Sequence, residues 1–428
     1  MRKINKAILA IAVPAIVSNI TTPLLGLVDV AIVGHIGSAV YIGAIAVGST
    51  MFNMLYWLFG FLRMGTAGLT SQSCGAGDFH SSSASLRRAL VMSFVFAAVL
   101  IVLSQPLGYL ALDFLDADDA TAPLARKYFS IAIFGAPAAL GMYSLNGWLL
   151  GMQNTRSPML VALLTNVVNI AISATLVFGF GMKIEGVATG TLSAQWIGLL
   201  TAMAVVWHKY HPEKIPFAEL IRRNALGRLF KINLDIFLRT LCLVGVTAWF
   251  TRAGAAQSVD ILAANALLMQ LFMFFSYFSD GFAFAGEALA GKHFGAGDND
   301  ALRRVVAALL RWGLWIALGF TALYFAAGEF VLRLLTDEGD VISTAKEYLP
   351  WAVSIPICGI AAFIYDGIFV GLTATRRMLV SVASGMAVFF IIYFALMPSM
   401  GNHALWLAFV TYLAVRGLSL HFLMRRLK

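Results

Sequence analysis

The chain has 428 residues, 60% of them hydrophobic and only 12% charged, with a formal net charge of +9. So few charged side chains cannot cover the water-facing surfaces of the roughly three soluble domains that this length would suggest, which excludes a soluble multidomain protein and leaves a single integral membrane body. The positive balance alone would admit nucleic-acid binding, but Lys and Arg fall in short turns and one linker, where topology and contact with anionic membrane lipids account for them; no nucleic-acid partner is expected.

A hydrocarbon core about 30 Å thick needs roughly 20 apolar residues per helix. Such stretches are predicted at 8–33, 41–72, 88–113, 123–151, 157–181, 186–208, 233–253, 258–288, 302–332, 343–371, 378–397 and 402–424. The expected fold is an all-α integral membrane protein of twelve transmembrane helices in two pseudo-symmetric six-helix bundles. The lobes are 1–208 and 232–428, joined by a cytoplasmic linker at 209–231. Met1 to Lys6 lead into the first span with no small-residue cleavage pattern, so that helix is expected to stay. One set of loops holds most of the Lys and Arg. The other set has Arg126, Lys127, Lys183, Arg252, Arg333 and Lys346, beside acids such as Asp118 and Asp340. Both termini are therefore expected in the cytoplasm.

On the first span Asn19, Thr22, Gly26 and Asp29 follow a 3-4-3 spacing and form one polar stripe. A carboxylate there is expected to face a cavity, since an ionisable side chain inside a membrane is costly against lipid. Pro14 and Pro23 remove donors from the same helix and let it bend. Arg63 in the second span is expected to neutralise a carboxylate. The Gly75-Ala76-Gly77-Asp78 turn then joins spans two and three. Asn166, Asn169 and Ser173 share a face of the fifth span, and Thr189 and Thr191 open the sixth. Interhelical hydrogen bonding would explain any one of them, but together they suggest a polar cavity.

In the linker, Pro216 to Ile221 could form a short amphipathic helix on the inner leaflet. Asp235 and Arg239 stand at i and i+4 on the seventh span and read as an ion pair. Asp280 and Glu287 share a face of the eighth span. Cys74, Cys242 and Cys358 have no metal-ligand spacing and read as small apolar residues. No metal site, nucleotide cradle or nucleophile with its base is present in the sequence, which argues against an enzyme.

The second half repeats the first at an offset of about 220 positions. Asn146-Gly147-Trp148-Leu149-Leu150-Gly151 returns as Asp366-Gly367-Ile368-Phe369-Val370-Gly371, Tyr128 as Tyr348, and Gly75-Ala76-Gly77-Asp78 as Gly295-Ala296-Gly297-Asp298. Duplicated apolar halves are a common plan of secondary transporters. Six spans per half start both halves on the same side, so the repeat axis is expected along the membrane normal.

Several stretches resemble the multidrug and toxic compound extrusion (MATE) transporters, in particular their DNA-damage-inducible F (DinF) branch. They are Val13-Pro14 with Asn19, Leu24-Leu25-Gly26-Leu27-Val28-Asp29, Phe61-Leu62-Arg63-Met64, Thr66-Ala67-Gly68-Leu69-Thr70, Asp280-Gly281-Phe282-Ala283 and Gly401-Asn402-His403-Ala404-Leu405-Trp406-Leu407. The resemblance implies two six-helix lobes with a V-shaped cleft, and export of small organic, often cationic compounds by a monomer driven by H+ or Na+ without a further cofactor. It implies cation coupling and drug contact for Asp29, helix bending for Pro14, and a polar neighbourhood of Asn146, Asn169 and Thr191. Asp366 takes the place of a tenth-helix acid of other branches. This chain departs from the pattern at Ser173, where the family usually carries a second aspartate.

The function expected is efflux of amphipathic organic compounds across the bacterial inner membrane. Asp29, Asn146, Asn169, Ser173 and Thr191 are expected in cation coupling, and Asp29, Asn166, Asp280, Glu287 and Asp366 in substrate binding. Protons are the favoured ion, because desolvation raises a buried carboxylate's pKa toward neutrality. Na+ would instead need converging oxygens, which Asp29, Asn169, Ser173 and Thr191 could supply. The alternative, a lipid-linked precursor flippase of the same superfamily, is disfavoured because the central spans show no cluster of Arg and Lys.

Overall fold

With no water in the hydrocarbon layer to receive backbone N–H and C=O groups, a single apolar segment satisfies them only as a helix. The computed structural model describes residues 2–34, 39–115 and 118–425; the side chains of 22–27, 29, 30, 33, 34 and 39 are outside the described set. The described chain is helical throughout, without a strand. In order, the α-helices are α1 (Arg2–Gly34), α2 (Ala39–Trp57), α3 (Phe61–Ala76), α4 (Phe79–Val102), α5 (Ser104–Phe114), α6 (Ala122–Ala132), α7 (Ala136–Gly151), α8 (Arg156–Ala174) and α9 (Ile184–Tyr210). They continue as α10 (Phe217–Leu220), α11 (Arg223–Ala255), α12 (Val259–Gly295), α13 (Asn299–Leu335), α14 (Gly339–Gly371), α15 (Thr375–Met400) and α16 (Asn402–Arg425). Among the described residues eleven stretches are long and apolar enough to cross a membrane, and α11 covers the remaining expected segment. This is an all-α, multi-pass membrane protein.

The chain divides into two compact units. One holds Pro14–Phe230, the other Met1–Val13 with Lys231–Lys428. The division falls inside α1, at Pro14, so that helix contributes residues to both units. The α1 assignment runs without a break through Pro14 and Pro23.

Within each unit the repeat is expressed as matched packing. α3 lies on α7 in the first, and its counterparts α12 and α14 pack together in the second. The close approach has a steric cause. A Cβ at Gly147 would lie under 3.0 Å from the Arg63 carbonyl oxygen, and one at Gly367 equally close to the Ala283 carbonyl oxygen, at the same offset. Helix starts match as well: the Asp78 carboxylate accepts from the Ser81 amide at 2.9 Å, and that of Asp298 from the Ala301 amide at 2.9 Å. Each satisfies a helix N–H that would otherwise lack a partner.

Buried polar clamps fasten the spans. Asn265 and Asn402 exchange amide hydrogen bonds at 2.9 Å, and the Trp406 indole donates to the Asn265 side-chain oxygen at 2.8 Å, tying α12 to α16. In the first unit the Trp148 indole donates to the Ser82 carbonyl at 3.0 Å, tying α7 to α4. The linker forms one helical turn, α10, and is fastened to α4: Arg88 donates to the carbonyls of Glu219 and Leu220 at 3.0 and 3.2 Å.

Candidate functional site

In the unit Pro14–Phe230, α8 and α9 pack so closely that a Cβ at Gly190 would run into the Ser173 side chain. A glycine is required there, and it leaves Ser173 Oγ fully buried with no hydrogen-bond partner among the described residues. One turn back, Asn169 is 1% exposed; its Nδ2 donates to Thr191 Oγ1 at 3.0 Å, while its Oδ1 has no partner among the described residues. Asn169, Ser173 and Thr191 thus lie together where α8 meets α9; Asn169 and Ser173 share the face their spacing gives them, and the family resemblance places Thr191 beside them. α8 passes straight into a π-helical turn, Thr175–Gly179, beyond Ser173.

On the same face of α8, Asn166 Nδ2 donates to the Thr21 carbonyl at 3.2 Å, which ties α8 to the polar-stripe helix α1. Asn146, on α7, also has an unpartnered Oδ1 among the described residues. Unpaired buried acceptors are unusual in folded proteins and mark strain, unseen water or an ion. Asp29 lies on α1, but its side chain is outside the described residues.

The carboxy-terminal unit carries a different chemistry. Asp366, 6% exposed on α14, accepts on Oδ2 from Arg239 of α11 at 2.5 Å and from Arg416 of α16 at 2.6 Å. Both guanidiniums are buried, and Arg416 also stacks over the Tyr412 ring at 5.2 Å and donates to its hydroxyl at 3.4 Å. Two guanidiniums against one carboxylate leave the trio with a formal charge of +1.

This corrects two expectations. Arg239 does not pair with Asp235 one turn away: Asp235 accepts from Thr375 Oγ1 at 3.1 Å and faces Arg376 at 3.6 Å, while the Arg239 side chain crosses to α14. Asp235 is as buried as Asp366, so burial does not choose between them; what differs is that Asp235 is met by the Thr375 hydroxyl and Arg376, while Asp366 receives charge-assisted hydrogen bonds from two guanidiniums. Two Arg also do converge within the spans, although around an acid that offsets one of their charges. The signal was present in the repeat, because Arg239 and Asp366 stand at the 220-residue counterparts of Asn19 and Asn146, a neutral pair exchanged for a charged one.

Asp280 and Glu287, also in this unit, lie on α12; Glu287 is 1% exposed, and its backbone carbonyl abuts Gly371. The predicted site residues therefore divide between the units, Asn146, Asn166, Asn169, Ser173 and Thr191 in one and Asp280, Glu287 and Asp366 in the other. Among the described residues, no group of three or more His, Cys, Asp or Glu could hold a metal ion.

A family model described as MatE matches twice, over residues 14–175 and 236–396, once per half of the repeat. The chain belongs to the MatE family. It is therefore a multidrug and toxic compound extrusion transporter and not an enzyme. It is 39% identical over 425 residues to DNA damage-inducible protein F of Escherichia coli (strain K12), covering 99% of this chain and 92% of that one. It is 25% identical over 441 residues to the probable multidrug resistance protein NorM of Rhizobium meliloti (strain 1021), covering 99% and 93%. A solved MATE structure in the bent conformation superposes with a TM-score of 0.86 at 17% identity, over 99% of this chain and 95% of that one. At that identity the structural likeness speaks for the fold alone.

Proposed function

We propose that this MATE transporter exports amphipathic organic compounds across the bacterial inner membrane in exchange for protons, with both termini cytoplasmic and Asp29 as the coupling carboxylate. The observation that carries this is the Asn166 bond to the Thr21 carbonyl. α1 and α8 are the first and fifth of alternately crossing spans and so run in the same direction. Eight residues beyond Thr21 on α1 is Asp29; three and seven beyond Asn166 on α8 are Asn169 and Ser173. At about 1.5 Å per residue the walks to Asp29 and Ser173 end at nearly one level, with Asn169 about one turn short of it. The Asp29 carboxylate at that level is the group assigned to carry the exchanged proton. Asn146, Asn169, Ser173 and Thr191 orient it, and the unpaired oxygens of Asn146, Asn169 and Ser173 offer acceptors to a proton-bearing group. Pro14 supplies the bend that alternating access needs.

Substrate contact is assigned to Asp29 and Asn166 within the amino-terminal unit and, separately, to Asp280 and Glu287 within the carboxy-terminal unit. Asp366 is already offset by two guanidiniums, so a cationic substrate gains little there; its role is to hold α11, α14 and α16 together. The test uses purified protein in liposomes: substrate addition should release protons without Na+ present, and Asp29→Asn should stop both proton release and efflux while the protein remains folded and inserted. Wild-type efflux in that variant overturns the assignment of Asp29, and an absolute need for Na+ overturns the assignment of the ion.

A further inference from the structure

The two units finish the same part of the repeat differently. In the amino-terminal unit Phe79, Leu86, Leu90, Leu145 and Met152 pack together with Trp207 and Tyr210 at the end of α9. The linker is bound alongside, at the start of α4. Glu213 and Glu219 grip the His80 ring at 2.7 and 3.0 Å, the Glu213 amide donates to Ser83 Oγ at 3.2 Å, and Arg87 donates to the Glu213 carbonyl at 2.9 Å. That basic helix start is thus neutralised by two carboxylates of the same chain.

The 220-residue counterparts of those five packed residues are Asn299, Val306, Leu310, Tyr365 and Leu372. In the carboxy-terminal unit they do not close up but line a cavity of about 440 Å³, within the roughly 300–1,000 Å³ typical of ligand pockets. The cavity is amphipathic along α13. Asn299 and Arg303 stand at the helix start, and Arg425 joins them from α16; Val306 and Leu310 follow, Leu310 about 16 Å along the axis from Asn299 at 1.5 Å per residue. The Tyr365 hydroxyl and His421 Nδ1 are hydrogen-bonded to each other at 2.6 Å in its wall. Among the described residues no Asp or Glu lines it, and Arg303 occupies the place of Ser83, the residue that meets the acidic linker in the other unit.

We propose that this cavity binds an anionic phospholipid, with its phosphate between Arg303 and Arg425 and an acyl chain along Val306 and Leu310. The lipid phosphate supplies to this half the negative charge that Glu213 and Glu219 supply to the other. Guanidinium forks match phosphate oxygens in geometry and charge, and basic pockets between membrane helices are known forms of headgroup site. A free anion would satisfy the arginines and leave the apolar end empty; a lipid fills both.

The purified full-length protein in detergent is titrated with dioleoyl-phosphatidylglycerol, dioleoyl-phosphatidylcholine or inorganic phosphate, with bound lipid read by native mass spectrometry and Tm by thermal melting. Phosphatidylglycerol should be retained and should raise Tm by several degrees, while phosphatidylcholine and phosphate should not. Arg303→Glu with Arg425→Glu should weaken phosphatidylglycerol binding at least tenfold, and Leu310→Trp, which fills the apolar end, should weaken it as well. Arg333→Glu, on the opposite end of α13, should leave it unchanged. Should the double reversal fail to fold, Arg303→Gln and Arg425→Gln singly should each weaken binding several-fold. Equal binding of the two lipids, undiminished phosphatidylglycerol binding in the arginine variants, or a phosphate effect as large as that of phosphatidylglycerol overturns the proposal.

Discussion

The amino- and carboxy-terminal units share their steric solutions and differ in their charges. Gly147 and Gly367 admit the same helix crossing, and Asp78 and Asp298 cap the same helix start. Yet the polar positions Asn19 and Asn146 of one half are Arg239 and Asp366 in the other. The lesson is that after a duplication a backbone contact is hard to alter, because any added atom displaces a whole helix, whereas a polar position can change if its new partner arrives with it. One unit consequently keeps neutral buried oxygens and the other an ion trio, and in both some buried polar atoms have no partner among the described residues, Asn169 Oδ1 and Ser173 Oγ in the first, Asp366 Oδ1 and Arg416 Nε in the second.

The largest expected effect comes from breaking that trio. Asp366→Asn leaves two buried guanidiniums without a carboxylate and should cost about 3–5 kcal/mol, seen as lost membrane yield and a lowered Tm. A wild-type melting curve would show that the trio is not what separates the halves. Next are the shared crossings: Gly147→Ala and Gly367→Ala should each cost about 1–3 kcal/mol by overpacking, and by similar amounts if the two crossings are equivalent. A large difference between the two variants in thermal melting would show that the repeat is not steric in origin.

The caps come third. Asp78→Ala should cost about 1 kcal/mol, the usual worth of an N-cap. The Ser81 side chain, and then its amide, hold the Asp78 carboxyl below the ordinary carboxylate range. Its folded pKa being depressed, its contribution is present above the unfolded carboxylate pKa and is lost as pH falls through the folded value. The gap between wild-type and Asp78→Ala melting temperatures should therefore close only in strong acid, and a gap that closes already near neutral pH would contradict this. Smallest is Arg239→Asn, which leaves Asp366 paired one to one with Arg416. Relief of the repulsion between the two guanidiniums offsets most of the ~1.5–3 kcal/mol that a hydrogen bond to a charged group is worth, and the net cost should be about 1 kcal/mol or less. If it proves as damaging as Asp366→Asn by the same melting assay, Arg416 alone does not balance the acid.

The sequence by itself determined the helices, because a chain crossing hydrocarbon has few ways to satisfy its backbone and apolar runs announce each crossing. It also determined the duplication, from glycines and caps that recur at one offset, and the shared face of Asn169 and Ser173, one turn apart on α8; that Thr191 of α9 meets Asn169 is a contact between helices. The partners of charged groups were decided only by the tertiary structure. Asp235 and Arg239 are adjacent on one helix face, yet Arg239 reaches Asp366 on α14, and Arg416 meets the same oxygen from α16. Local spacing reports which side chains share a face; it does not report which side chain of a facing helix a long guanidinium will reach. The filled and empty versions of one repeat position, Ser83 under the linker and Arg303 beside a cavity, likewise follow from packing of segments far apart in the chain.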